Sequence, residues 1–378
     1  MLLENSTIVH CAQFAAPYEG NFIKSLIFLE NELIKYNCTL VYVFPNSVRE
    51  QHWWNDFKHK HIAHTTNVDV KKSVKELYDI FIKYNPVIVH THFDGYDIPV
   101  KKASVRYKKT TRKTICNIWH LHDYITYNKN LIKKLYQHYC FFKHYSCYSK
   151  DVSIIGVCDE IKDFVLKYNQ LSFNKFNKSK TILNGIDCNR INQYKNWDET
   201  KSITRFLTFG GRNIDKRIDI ILDAFCLIYK ISSFRPELYI TIGTDTIDIV
   251  STYFNHEIPS WCHLINQNED ITLIFTFADC YISASVHETF SYAICEASIY
   301  GLPIIQSDIP GTKWNAINTS VKEFKSLNVA DLSNQICSII ETPIDQIKND
   351  CLVTRQNNTK EYSLENWSQK IIEFYNCL

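Results

Sequence analysis

Glycine is scarce in this chain, 9 of 378 residues, against a usual ~7%. That excludes collagen-like, glycine-rich linker and low-complexity sequences. It also makes each glycine informative, because a chain so sparing keeps the residue for φ > 0 or for close backbone approach. The 14 cysteines are scattered, Cys140 and Cys147 being the nearest pair. With no C-x-x-C and no zinc spacing, they read as buried small hydrophobes in a reducing compartment. The first residues lack the cationic region and apolar run of a signal peptide. No apolar run approaches the ~18 residues that span a bilayer. These absences predict a cytoplasmic protein that meets a membrane only peripherally, at its inner face.

What is present is an apolar, evenly charged chain. Hydrophobic residues make up 45%, and 42 Lys+Arg against 40 Asp+Glu leave a formal charge of +2. The apolar content supports sizeable cores, and the length predicts two domains. The charge gives no global case for nucleic acid, but it is uneven. Residues 101–150 hold twelve cations, from Lys101 to Lys150, and one acid, Asp123. Among them lie aromatics such as Tyr107, Trp119, Tyr124, Tyr127, Tyr136 and Tyr145. A basic, aromatic surface suits an anionic membrane or acceptor; a solvated helix face with ordinary core aromatics explains it equally.

Short β-branched or aromatic runs alternate with longer amphipathic ones. Strands are expected at Thr7–Phe14, Cys38–Phe44, Val87–His90, Thr114–Trp119, Val152–Val157 and Lys180–Leu183. Helices are expected at Asn21–Tyr36, Val70–Tyr84, Leu131–Tyr145 and Asp159–Tyr168. This rhythm means an open parallel sheet covered on both faces. After the polar stretch 189–202 it restarts: strand Arg205–Phe209, helix Lys216–Tyr229, strand Leu238–Ile242, helix Ile247–Phe254, strand Cys280–Ser283, helix Phe290–Tyr300, strand Leu302–Gln306. The expected organisation is a first domain over 1–188, a linker over 189–202, a second domain over 203–360 and a last amphipathic helix over 361–378.

The first βα turn, Ala15-Ala-Pro-Tyr-Glu-Gly20, lacks the G-x-G-x-x-G of dinucleotide-binding domains. Gly20 at a helix start still suits close approach of a phosphate or sugar; a plain turn glycine is the other reading. The second half opens with Phe209-Gly-Gly-Arg212-Asn-Ile-Asp-Lys216. Arg212 and Lys216 at a strand's carboxyl end are placed to neutralise a diphosphate. Next comes His287-Glu288-Thr289-Phe290-Ser291, with Glu296 eight residues after Glu288. Thr289, Phe290 and Ser291 offer N–H groups at a helix N-terminus, suited to a pyrophosphate. Glu296 lies in an apolar stretch and needs a partner, either ribose hydroxyls or a buried cation. No Asp-x-Asp occurs anywhere in the sequence, so the groups at hand to balance a diphosphate are Arg212, Lys216 and the helix end.

Together, Gly-Gly-Arg…Lys, Glu-x7-Glu, Gly301-Leu-Pro303 and Ser307-Asp-Ile-Pro-Gly311 resemble the retaining glycosyltransferases of family four. Tyr18-Glu-Gly20, Val89-His-Thr-His92, Trp119-His-Leu-His122-Asp123 and Asn184-Gly-Ile-Asp187 extend the resemblance over essentially the whole chain. It implies the GT-B fold: two Rossmann-like, doubly wound parallel-sheet domains facing a cleft, with the C-terminal helix crossing back to the first. It implies that Arg212 and Lys216 bind the donor diphosphate, with Gly20 near the phosphate. Glu288 would contact the transferred sugar and Glu296 the ribose, while Thr289–Ser291 would hold phosphate and sugar. His122 would lie at the reacting centre, orienting or polarising; His90, His92 and His120 read as core histidines. The implied enzyme is a metal-independent hexosyltransferase with no cofactor. Its donor is a nucleotide-sugar, by preference UDP-linked. Its acceptor is a saccharide or lipid-linked saccharide in cell-surface polysaccharide assembly, such as a capsule. A catalytically silent partner of the same fold, and a UDP-sugar epimerase, are the alternatives. Many members have glycines where this chain has Thr289–Ser291, and Lys-Gly where it has Lys216-Arg217.

Overall fold

The computed structural model describes residues 3–58, 61–66, 70–123, 130–171, 175–198, 200, 202–267 and 270–378. Tyr124, Tyr127 and Lys129 of the basic stretch, and Glu199 of the polar stretch, lie outside the described residues. The chain divides into two units, Met1–Gly185 with Leu364–Leu378, and Ile186–Ser363.

In the first unit the elements run β1 (Thr7–Ala12), α1 (Gly20–Ile34), β2 (Thr39–Pro45), β3 (His61–Thr66), α2 (Val70–Tyr84), β4 (Ile88–His92), α3 (Asp97–Thr111), β5 (Cys116–Leu121), α4 (Leu131–Phe142), β6 (Val152–Gly156), α5 (Asp159–Gln170) and β7 (Ser179–Thr181). The strands pair in parallel in the order β3-β2-β1-β4-β5-β6-β7. Alternate residues serve opposite faces. Ile8, Tyr42, Ile88 and Ile118 pack with Leu26 and Leu33 of α1; Val9, Val41 and Val89 pack with Phe81 of α2 and Tyr107 of α3. Both faces are therefore apolar, as a doubly covered parallel sheet requires.

The second unit runs β8 (Arg205–Phe209), α6 (Asn213–Lys216), α7 (Ile218–Ile231), β9 (Glu237–Thr241), α8 (Thr246–Tyr253), β10 (Cys262–Ile265), α9 (Ile271–Phe275), β11 (Cys280–Ser283), α10 (Tyr292–Tyr300), β12 (Ile304–Ser307), β13 (Val321–Phe324), α11 (Val329–Glu341) and α12 (Ile344–Glu361). Its parallel sheet is ordered β10-β9-β8-β11-β12-β13. The last helix, α13 (Leu364–Asn376), belongs to the first unit, where Trp367, Ile371 and Tyr375 enter its core.

Several expectations shift. The first unit ends at Gly185, not 188. Ile186 already pairs in the second unit, its N–H donating to the Tyr362 carbonyl at 2.7 Å. The polar stretch is no loose linker: Lys195 is buried on Asp279 at 2.8 Å. The helix expected from Lys216 breaks at Arg217, whose φ of +51° lies in the left-handed region. Strands β3, β10 and β13 and helices α3, α6, α9, α11 and α12 lie outside the expected elements. The three strands are outer members of their sheets or next to them, four to six residues long. Helix α3 hides behind its lysines and Pro99, which sits in the first turn where proline is tolerated.

Candidate functional site

In each sheet the winding direction reverses once, between β1 and β4 and between β8 and β11. Open α/β sheets bind ligands outside the carboxyl ends of the strands at such switch points. Of the residues singled out in the sequence, Gly20 follows β1, Arg212 and Lys216 follow β8 and Glu288–Ser291 follow β11, at these two places, whereas His122 follows the neighbouring β5 and Glu296 lies inside α10.

In the second unit, β8 leads into Gly210, Gly211 and Arg212, and β11 into residues 284–291. The Val286 N–H donates to the Asp215 carbonyl at 3.0 Å, so the two loops are bonded together. Lys216 Nζ lies 2.8 Å from Glu288 Oε1. Arg212 is 71% exposed and rests on Asp215 at 2.9 Å. An exposed guanidinium held by one surface carboxylate is easily recruited by an anion. Arg217 stands where a Lys-Gly pattern would place glycine. Its left-handed backbone is what glycine adopts freely, and here the side chain is tied to Asp219 at 2.6 Å and 2.9 Å.

Helix α10 starts at Tyr292, two residues later than expected, with Ser291 as its extended N-cap and no side-chain cap. Its opening N–H groups are thus not capped by Ser291, and a helix start of this kind favours an anion. Thr289 and Phe290 precede the helix. Phe290 is buried and stacks on Trp314, ring centroids 4.8 Å apart. Its side chain anchors the loop. Gly311 backs the loop from behind: a Cβ there would stand 1.8 Å from the Glu288 carbonyl oxygen.

Glu296 is buried in α10 and receives a hydrogen bond from Arg190 Nη1 at 3.0 Å. Of the two partners open to it, the structure shows the cation. Arg190 went unnoticed in the sequence. The signal was Asn184-Gly-Ile-Asp187: Asp187 accepts from the Asn189 N–H at 3.1 Å and caps the short turn that carries Arg190. Both Glu288 and Glu296 act on the buried Tyr281 of β11, raising its phenol pKa after burial itself. A separate cavity of about 460 Å³, lined by Lys195, Trp197, Arg205 and Asp279, lies at the amino ends of β8 and β11. That is the end of the sheet opposite the switch-point loops.

In the first unit, Gly20 opens α1 with φ +54°, a left-handed turn that glycine takes without strain. Two residues on, Phe22 sets its ring edge against His92 and His122. The turn and the candidate histidine are thus joined through one aromatic ring. His122 follows β5, half-buried, and its ring stacks on His120 at 4.2 Å. Burial lowers its pKa to about 3, so the ring is neutral near pH 7. It is not alone. His10, His90, His92 and His120 are buried on the same sheet face, because i, i+2 residues of one strand share a face. Within the group, His92 Nδ1 and His122 Nε2 lie 3.2 Å apart. The sequence reading treated His90, His92 and His120 as separate core residues; the His-x-His spacing was the available signal.

No protein-family model matches the chain, and no curated protein matches it in sequence. Solved structures do match in shape. A glycosyltransferase from Rickettsia africae superposes with a TM-score of 0.74 at 18% identity, covering 98% of this chain and 97% of its own. HepE of Anabaena, solved with UDP and glucose, gives 0.73 at 13% identity over 99% and 100%. Sucrose-phosphate synthase from Thermosynechococcus elongatus gives 0.72 at 13% over 98% of both chains. At such identities the likeness is one of fold: two doubly wound parallel-sheet units, the fold class called GT-B, over essentially the full chain.

Proposed function

We propose that this chain is a glycosyltransferase that moves a sugar from a nucleotide-sugar, UDP-linked by preference, to a saccharide or lipid-linked saccharide acceptor. The observation that carries the reading is the Lys216–Glu288 pair at the switch point of the second sheet, 2.8 Å apart, with Arg212 exposed beside it. Two cations follow β8, and a helix start without a side-chain cap from Ser291 follows the loop after β11, at the switch point where a leaving diphosphate needs charge. The absence of Asp-x-Asp from the sequence fits a donor site built on these groups. HepE, of like fold, was solved with UDP and with UDP-glucose, which supports the UDP preference.

In this reading Arg212, Lys216 and the start of α10 hold the diphosphate, Glu288 contacts the sugar, and Glu296 with Arg190 meets the ribose. The transfer goes with retention. The bond from the anomeric carbon to the phosphate oxygen breaks, and the bond to the acceptor oxygen forms on the same face. The departing phosphate takes the acceptor's proton. His122, neutral, orients or polarises the reacting groups. The decisive experiment is a panel of UDP-, GDP- and ADP-sugars measured for binding and nucleotide release. A folded sample that binds none of them overturns the proposal.

The acceptor side carries a second feature. No described helix is long and apolar enough to cross a membrane. Helix α4 nevertheless has no buried residue and exposes Leu131, Ile132, Leu135, Tyr136 and Tyr139, Ile132 to 78%. Lys133 and Lys134 are exposed beside them. An apolar stripe with adjacent lysines suits the interface of an anionic bilayer, which would set a lipid-linked acceptor and a cell-surface pathway. By contrast, Tyr107, Trp119 and Tyr145 are core residues. Vesicle sedimentation tests the contact: binding should need anionic lipid, weaken in salt and fall several-fold in Leu135→Glu. Equal binding of that variant removes α4 from the proposal.

A further inference from the structure

Five imidazoles, from His10, His90, His92, His120 and His122, lie on three neighbouring strand ends, in a layer otherwise filled by residues such as Ile8, Ile88 and Ile118. A donor diphosphate has no use for them, and apolar burial of so many polar rings is costly unless each is partnered. Their hydrogen bonds form two series. In one, the Tyr375 hydroxyl meets His90 Nδ1 at 2.6 Å and His90 Nε2 meets His120 Nδ1 at 3.2 Å. In the other, His10 Nδ1 meets His92 Nε2 at 3.2 Å, and His92 Nδ1 meets His122 Nε2 at 3.2 Å. The first series ends on His120 Nε2, which is buried and has no hydrogen-bond partner among the described residues. Whichever way the protons of that series are ordered, this nitrogen is left over.

We infer that His92, His120 and His122 form a binding site for a divalent transition ion that favours imidazole, such as zinc. One ring nitrogen from each of the three lies within 4.8 Å of the others. Around a tetrahedral ion, nitrogens bound at ~2.0–2.1 Å stand about 3.3 Å apart. The His92–His122 separation already has that value, and the third ring needs only a small approach. The hydrogen bonds also supply what metal-bound histidines require, an outer partner for the second ring nitrogen. His92 Nε2–H can donate to His10, and His120 Nδ1–H to His90, whose own Nδ1–H then donates to Tyr375. Five histidines thus divide into three ligands and two supports. The proton now shared between His92 and His122 moves to a distal ring nitrogen when the ion takes both lone pairs.

The triad His10, His90 and His92 also has metal-binding geometry. It is wholly buried, and His90 is engaged by Tyr375. The outer triad instead includes the half-buried His122, which gives access from solvent. Asp123 follows His122 directly and Asp94 stands two residues after His92, the two carboxyl groups being close enough to act on one another. Three protein ligands leave one position of a tetrahedral ion open, for a water or a substrate hydroxyl.

The inference stands on the first unit alone and does not depend on the donor reading. The test uses the full chain stripped with a chelator, titrated with zinc chloride by calorimetry in competition with a chelator, and with cobalt chloride followed by visible absorption. The expected result is one ion per chain and a tetrahedral cobalt spectrum. His122→Ala should weaken zinc at least tenfold, while His52→Ala, an exposed histidine elsewhere, leaves it unchanged. Circular dichroism melts establish that each variant is folded, and His122→Gln repeats the test with a smaller change of volume. No bound zinc, or equal affinity in wild type and both His122 variants, overturns the site. Loss in His10→Ala with full binding in His122→Ala assigns the ion to the inner triad and overturns it equally. No sugar nucleotide enters these measurements, so failure here and failure of the proposed transfer are separate results.

Discussion

Lys216 donates to Glu288 across the switch point of the second sheet, Nζ to Oε1 2.8 Å. In the donor reading this pair is a resting contact, from which the ammonium turns to the diphosphate. Lys216→Ala and Arg212→Ala should each weaken donor binding about 10–100-fold, since each loses a charge-assisted hydrogen bond of ~1.5–3 kcal/mol. Glu288→Ala should abolish turnover while leaving donor binding within about tenfold. Calorimetry with the active donor and a nucleotide-release assay separate the two effects. Wild-type turnover in Glu288→Ala refutes its role.

Gly311→Ala tests how the loop is held. A methyl group 1.8 Å from the Glu288 carbonyl oxygen and 2.4 Å from its carbon meets backbone, which cannot swing aside. The Glu288–Thr289 peptide must shift, at a cost of about 3 kcal/mol, the upper range for overpacking. A thermal melt and donor titration should both show loss. Gly211→Ala is the control, because its added Cβ would find only Lys216 Cγ at 3.4 Å.

Arg190 and Glu296 form the second internal pair, Nη1 to Oε1 3.0 Å, with the carboxylate 5% exposed. Arg190→Ala leaves that carboxylate in an apolar helix without its cation and should cost about 2 kcal/mol, the partial exposure of Arg190 reducing the usual penalty for breaking a buried pair. Replacing both residues by leucine should restore most of the loss in urea unfolding. If Glu296 also meets the ribose, Glu296→Gln will weaken free UDP about tenfold with little effect on the melt. Equal UDP affinity would leave Glu296 as a purely structural partner.

The histidine group makes the fold acid-sensitive. Burial lowers the folded-state pKa of His10 and His122 to about 3, and holds His90, His92 and His120 well below 6.5. The unfolded chain therefore binds more protons between about pH 3 and 6.5, and stability rises with pH through that window. It is fully present above 6.5 and falls on acidification by up to about 1.4 kcal/mol per pH unit for each histidine. Asp97 acts oppositely: burial lifts its carboxyl to about 6, so its contribution weakens as pH rises from about 4 to 6. Burial raises the Asp123 carboxyl as well, in the same sense as Asp97, but with five histidines against these two carboxylates the net slope below 6.5 should be positive. Urea midpoints from pH 5 to 8 measure it, and His122→Gln should reduce the slope by nearly one proton.

The grouping of the candidate residues was legible where it is local. Arg212 and Lys216 follow β8, and Glu288 follows β11, each in one strand–turn–helix segment, so spacing alone brought them to a strand's carboxyl end, with Glu296 in the helix beyond. Even there, the left-handed Arg217 and the later start of α10 escaped, since neither changes the apolar periodicity. Arg190 escaped because its partner is 106 residues away. The histidine group escaped because it is assembled by the register His10 with His90 and His92 with His120, across β1, β4 and β5.

The sequence by itself determined the layered α/β class, the two sheet-bearing units, the amphipathic pattern of the last helix and the turns marked by rare glycines. These follow from periodicity and backbone conformation, which are set over a few residues. Tertiary structure alone decided that Glu296 meets Arg190, that Phe290 is an anchor, that α4 is left uncovered and that five histidines share one face. Partner choice, burial and proton affinity arise from packing between distant segments, and no local pattern encodes which of many polar residues will be enclosed together.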